Sequence, residues 1–153
     1  MEAKAVQPTA RDLYDLDFYE WIVRNAGLLR VRRFDEADIE RIAEEIEDMG
    51  KREQRELVSR LEVLLAHLLK WQSQPGRRES RSWLNTITLQ RSKIAELLEE
   101  MPSLRPALVR KLPRAYKHAV LMAGRESRAE AQLFPETCPF TLDQILDSGF
   151  FPD

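Results

Sequence analysis

Cysteine occurs once, at Cys138, so no internal disulfide framework is available and the fold must rest on packing. A chain of 153 residues is long enough to bury a normal core without such staples. Glycine is scarce as well, at 5 residues, against 33% charged residues and much Leu, Ala, Glu and Arg. That balance predicts an all-α protein and argues against a sheet. No apolar run approaches the ~18 residues of a membrane span, and Met1 to Asp12 lacks the apolar core of a signal peptide. Together with the lone cysteine, these absences predict a soluble cytoplasmic protein. Also missing are a glycine-rich phosphate loop and a Gly-x-Ser-x-Gly elbow. A net charge of −2 gives no global field toward nucleic acid or membrane.

Charge is nevertheless sorted along the chain. Asp35 to Asp48 holds eight acids and one base, Arg41. Lys70 to Lys93 holds six bases and one acid, Glu79, and Ser103 to Ala123 holds five bases and no acid. Acidic and basic helices facing each other within one bundle would satisfy this pattern without a partner.

The periodicity predicts four main helices around one long helix, plus a short C-terminal one, in a single domain over residues 12–153. A flexible arm is expected over residues 1–11. Helix one starts after Asp15 or Asp17 as N-cap. Its buried face is Phe18, Ile22, Ala26 and Leu29, flanked by Trp21 and Leu28, with Asn25 inward, and it ends near Arg32-Arg33. The long helix covers about 36–72, with Asp35 as its cap and Asp38 in a capping-box-like position. Ile39, Ile42, Ile46, Met49, Leu57, Leu61, Leu64, Leu68 and Trp71 fall on one stripe. Gly50 to Glu56 has no apolar residue, yet Ile46 and Leu64 keep the same phase, which predicts one helix, bent at most at Gly50. Pro75-Gly76 marks a turn. Ser80 or Ser82 caps the next helix, whose inner stripe is Trp83, Ile87, Ile94, Leu97, Leu98 and Met101. After Pro102, Ser103 caps a helix with Leu104, Leu108, Leu112, Ala115, Ala119 and Met122 inward, kinked or split by Pro113. The Pro-rich tail over 133–153 is extended and packs its aromatics on the bundle, and Thr141 with Gln144 forms a capping box.

Three polar residues, Glu53, Arg60 and His67, share the long stripe at intervals of seven. Two turns, or ~10 Å, separate neighbours, so they meet only by long reach or through Asn25, Gln90 or Arg91. A hydrogen-bonded network that fixes helix register is one reading. A pocket with His67 as acid or base is the other. Metal is not expected, because di-metal bundles use Glu-x-x-His pairs on one helix face. The residues three and four before His67 are Leu64 and Val63, and before His118 they are Ala115 and Arg114. Glu44 and Glu47 have ligand spacing but sit in a solvated acidic run. Cys138 has no sequence-local base or helix N-terminus to activate it. Trp71, Arg77, Arg78, Arg81 and Trp83 interleave cations and rings around the Pro75-Gly76 turn, a composition able to stack bases and hold phosphates.

Several strings occur together: Asp17-Phe18-Tyr19-x-Trp21, Glu44-Glu45-Ile46-Glu47-Asp48-Met49-Gly50, Ser59-Arg60-Leu61, His67-Leu68-Leu69-Lys70-Trp71-Gln72, Ser80-Arg81-Ser82-Trp83, Pro102-Ser103-Leu104-Arg105 and Cys138-Pro139. The set resembles the bacterial family catalogued as domain of unknown function twenty-nine, over about residues 12–152. The resemblance implies an all-helical protein and carries no activity. Its polar motif positions fall on Glu44, Glu45, Glu47, Asp48, Arg60, His67, Lys70, Trp71, Gln72, Arg81 and Trp83.

With no complete catalytic set and no cofactor signature, the sequence predicts an interaction or regulatory module that binds a protein partner or a second copy of itself. The alternatives are a nucleic-acid-binding accessory using Arg77 to Trp83, and an enzyme with a polar pocket around His67.

Overall fold

A computed structural model describes residues 7–127 and 133–153. Part of the expected N-terminal arm, residues 1–6, lies outside them. The fold is all-α, and among the described residues there is no strand. The α-helices are α1 (Leu13–Leu16), α2 (Phe18–Arg30), α3 (Ile39–Ser73), α4 (Arg81–Glu100), α5 (Arg105–Ser127) and α6 (Leu142–Leu146). They form two compact units that divide inside α3, after Lys51.

The N-terminal unit has a small interior. Asp17 caps α2 by accepting from the backbone N–H of Glu20, as the sequence indicated. The turn before it, α1, was not foreseen. The face of α2 that goes inward is centred on Trp21 and Asn25, while Phe18 is 45% and Ile22 44% exposed. That corrects the expected stripe. The reason is chemical: the Trp21 indole N–H donates to Asp38 (3.2 Å), and Asn25 accepts from the Asp38 backbone N–H (2.8 Å) while donating to the Trp21 carbonyl (2.8 Å). These bonds need both side chains inside, and they rotate Phe18 and Ile22 outward. They also explain the start of α3. Asp38, not Asp35, stands before its first turn, and the Asp38 carbonyl accepts from Ile42 (3.0 Å). Residues 33–36 instead form a turn after Arg32, whose φ of 60° ends the previous helix at Arg30 rather than at Arg32-Arg33.

The C-terminal unit is built on the second half of α3. Leu57, Leu61, Leu64, Leu65, Leu68 and Leu69 are at most 1% exposed. Each contributes about 1.5–3 kcal/mol by leaving water. They pack with Ile87 and Ile94 of α4, Leu108, Ala115, Tyr116 and Ala119 of α5, and Phe134, Phe140, Leu142 and Ile145 of the tail. α3 is unbroken through Gly50. α5 runs through Pro113, and a 3-10 turn over Pro102–Leu104 precedes it, so Ser103 is not its cap. The Thr141–Gln144 capping box closes in both directions.

Candidate functional site

The seven-residue polar series along α3 resolves into separate local pairings. Arg60 donates from Nε (3.1 Å) and Nη2 (2.8 Å) to Glu56 one turn back, and from Nη1 to Gln90 of α4 (3.3 Å). Glu53 takes part in neither contact and is half-buried. His67 is also half-buried. Its Nδ1–H donates to the Val63 carbonyl (2.8 Å), which fixes the tautomer and leaves Nε2 as an acceptor 3.4 Å from the Lys70 ammonium. Arg91 is drawn elsewhere. Its buried guanidinium donates to the carbonyls of Ile145 (2.8 Å) and Phe150 (2.7 Å), tying the tail to α4.

Lys70 is the residue that sequence reasoning passed over. It is 4% exposed, pairs with the carboxylate of Glu126 on α5, and lies 5.4 Å from the centre of the Trp83 ring. His67, Lys70, Glu126 and Trp83 thus form one cluster among α3, α4 and α5. Burial, the largest cause, pushes the His67 imidazole below its ordinary pKa. The Val63 carbonyl opposes this, the Lys70 ammonium adds to it, and Glu126 opposes it. A neutral imidazole accepting from a buried ammonium orients the lysine, and its one N–H is held by the Val63 carbonyl. The only advance sign of Lys70 was its place in the His67-to-Gln72 string, and Glu126 carried no sign at all.

The basic and aromatic residues near the turn are partly engaged. The Trp71 ring lies 5.0 Å from that of Phe151, and the Trp71 carbonyl accepts from Arg78 Nε (3.1 Å). The Arg77 guanidinium lies 5.5 Å from the Trp83 ring, which also faces Lys70. Arg81 is exposed at the first turn of α4.

A different surface stands out in the N-terminal unit. Of fourteen exposed large apolar residues among those described, ten lie there: Leu16, Phe18, Tyr19, Ile22, Val23, Val31, Phe34, Ile39, Ile46 and Met49. Ile46 is 62% and Met49 58% exposed, although both continue the stripe that is buried from Leu57 to Leu68. The expectation that this stripe is inward along its whole length is therefore corrected for its first half.

Cavities lined by described residues lie in both units. Two flank α5. One, of about 510 Å³, is walled by Tyr116, Val120, Leu121 and Phe134, and the other, of about 300 Å³, by Leu112, Pro113, Cys138 and Phe140. Burial pushes the Cys138 thiol up, away from thiolate chemistry. Among the described residues no group of three or more His, Cys, Asp or Glu side chains could hold a metal ion, and no helix is long and apolar enough to cross a membrane.

No curated protein and no solved structure matches the chain. The family model described as Domain of unknown function DUF29 matches residues 13–151, and the chain belongs to that family.

Proposed function

We propose that this chain is a protein-interaction module and that the exposed apolar face of its N-terminal unit is the docking surface. The observation that carries this reading is the change of state along one helix stripe. The same spacing of apolar residues is dry at Leu61 and Leu64 and wet at Ile46 and Met49. At ~200 Å² for a large apolar side chain, ten residues between 42 and 75% exposed present on the order of 1,000 Å². Half of that on one side already matches the largest apolar patch of an ordinary monomer, about 300–600 Å². The described core of the unit supports the same reading. Its buried apolar residues are Ala10, Leu13, Trp21 and Ala37, few for a segment of this length.

The test is cross-linking and co-purification with the full chain, comparing wild type with Ile46→Asp/Met49→Asp. Both replaced side chains are exposed, so the variant keeps its helicity. Adducts formed by wild type, whether with itself or with another protein, are expected to disappear in the variant. An unchanged adduct pattern overturns the reading.

The other two readings have less behind them. Stacking a single-stranded base needs a free ring face, and Trp83 already has Lys70 and Arg77 beside it while Trp71 has Phe151. Acid or base work by His67 needs an open approach to Nε2, which faces Lys70.

A further inference from the structure

The apolar stripe of the N-terminal unit is free of charge. At ~100° per residue, Ile39, Ile42, Ile46 and Met49 span less than a quarter of the circumference of α3. Glu40, Arg41, Glu44, Glu47, Asp48 and Lys51 all lie at least ~120° from the centre of that stripe, on the other side of the helix. Glu45 lies nearer and is turned to Tyr14, accepting from its hydroxyl (2.7 Å). The next stripe position, Glu53, falls beyond Lys51 in the other unit and bounds the face.

A ring from α2 extends this face. Phe18 stacks on Trp21 (5.5 Å between centres), whose N–H donates to Asp38, and meets Tyr14 edge-on (5.5 Å), whose hydroxyl donates to Glu45. Those two anchors set Phe18 alongside α3 between Asp38 and Glu45. Ile22 follows one turn along α2, and the nearby charges Glu20 and Arg24 lie on the far side of that helix.

Phe18, Ile22, Ile39, Ile46 and Met49 are 42–62% exposed. At ~200 Å² for a large apolar side chain, they present about 500 Å². A stable two-fold interface covers ~800 Å² per partner, about 65% of it apolar, which is the same area. Charge then selects the occupant. A different protein is recognised largely through complementary charges, and the stripe offers none. A two-fold contact asks only that a surface fit itself, and an uncharged apolar surface raises no like-charge repulsion within the contact.

Resting on the interaction reading above, we infer that the partner is a second copy of this chain, docked through the same face. The N-terminal units of two copies pair about a two-fold axis, with Ile46 and Met49 of both at the centre. Residues 1–51 carry 13 acids against 8 bases, so two such units repel at long range although their contact is uncharged. Salt screens that repulsion and leaves the apolar contact in place. Added salt therefore tightens the dimer.

Sedimentation equilibrium of the full chain at low and high salt tests this. A reversible monomer–dimer equilibrium is expected, with a dissociation constant that falls as salt rises. Ile46→Asp/Met49→Asp should raise that constant at least tenfold, whereas Glu44→Arg/Glu47→Arg, on the opposite side of α3, should not raise it. A wild type that stays monomeric at ~100 µM, a concentration that populates any micromolar dimer, overturns the inference. So does a dimer that salt weakens, or one that survives Ile46→Asp/Met49→Asp. The interaction reading fails separately. A monomeric wild type whose adducts with another protein are lost in Ile46→Asp/Met49→Asp sinks the dimer and keeps the docking surface.

Discussion

At the residue scale the molecule turns on Lys70, a buried cation held by one half-exposed carboxylate. The two members of that pair are not equivalent. Glu126→Ala leaves an ammonium at 4% exposure with only a neutral imidazole and the Trp83 ring beside it. Removing one partner of a fully buried pair costs 3–5 kcal/mol, and because Glu126 is half in water the expected loss is about 2 kcal/mol. Lys70→Met removes the charge and keeps the stem, and Glu126 simply hydrates, so its expected cost is below about 1 kcal/mol. Chemical denaturation of both variants checks the order, and the reverse order would show that the pair is not buried on the lysine side. His67→Ala should cost about 1–3 kcal/mol, since the Val63 carbonyl and Lys70 both lose a partner. Melting equal to wild type would contradict its placement in the network.

The same histidine gives a pH dependence with a definite sign. In the unfolded chain the imidazole takes up a proton near its ordinary pKa of about 6.5. In the fold it does so only at lower pH, because burial disfavours the charged form and the Lys70 ammonium adds to this, against the Val63 carbonyl and Glu126. The unfolded state therefore binds the proton first as pH falls, and stability drops from about pH 6.5 downward until the folded state also protonates. Thermal melts of wild type minus those of His67→Gln isolate this contribution. A difference that stays flat below pH 6.5 would contradict it.

Among the elements, α3 decides most. Gly50 lies in its interior with open space around the position of an added Cβ. Gly50→Ala should stabilise by about 0.5–1 kcal/mol, the usual gain at an exposed helical glycine. A loss of stability would mean that the segment needs a conformation alanine resists. The continuity of α3 was legible in the sequence because Ile46 and Leu64 share a phase. The Asp17 cap and the Thr141–Gln144 box were legible for a similar reason, since capping chemistry is local. What escaped was set by distant partners. Periodicity alone puts Phe18 on the buried face and Trp21 on its flank, and only the Asp38 carboxylate, seventeen residues from Trp21, selects the indole. Lys70 reads as a surface residue until Glu126 of α5 is placed beside it. Arg91 reads as a site residue until the tail carbonyls of Ile145 and Phe150 take its donors. The polar series on α3 was visible, but its members were not joined.

For the whole molecule, the informative contrast is between two stretches of one helix that share a pattern and differ in exposure. Apolar residues left wet at helical spacing cost solubility, and a partner surface that covers them removes that cost. The DUF29 family assignment supplies no activity.

The thermal unfolding of Ile46→Asp/Met49→Asp at submicromolar concentration tests the central claim most directly. If those side chains face water in the monomer, two surface substitutions leave its stability within about 0.5 kcal/mol of wild type. A loss of 2 kcal/mol or more, the scale of placing charge in a core, would mean that the stripe is covered by its own chain and that no docking face exists there.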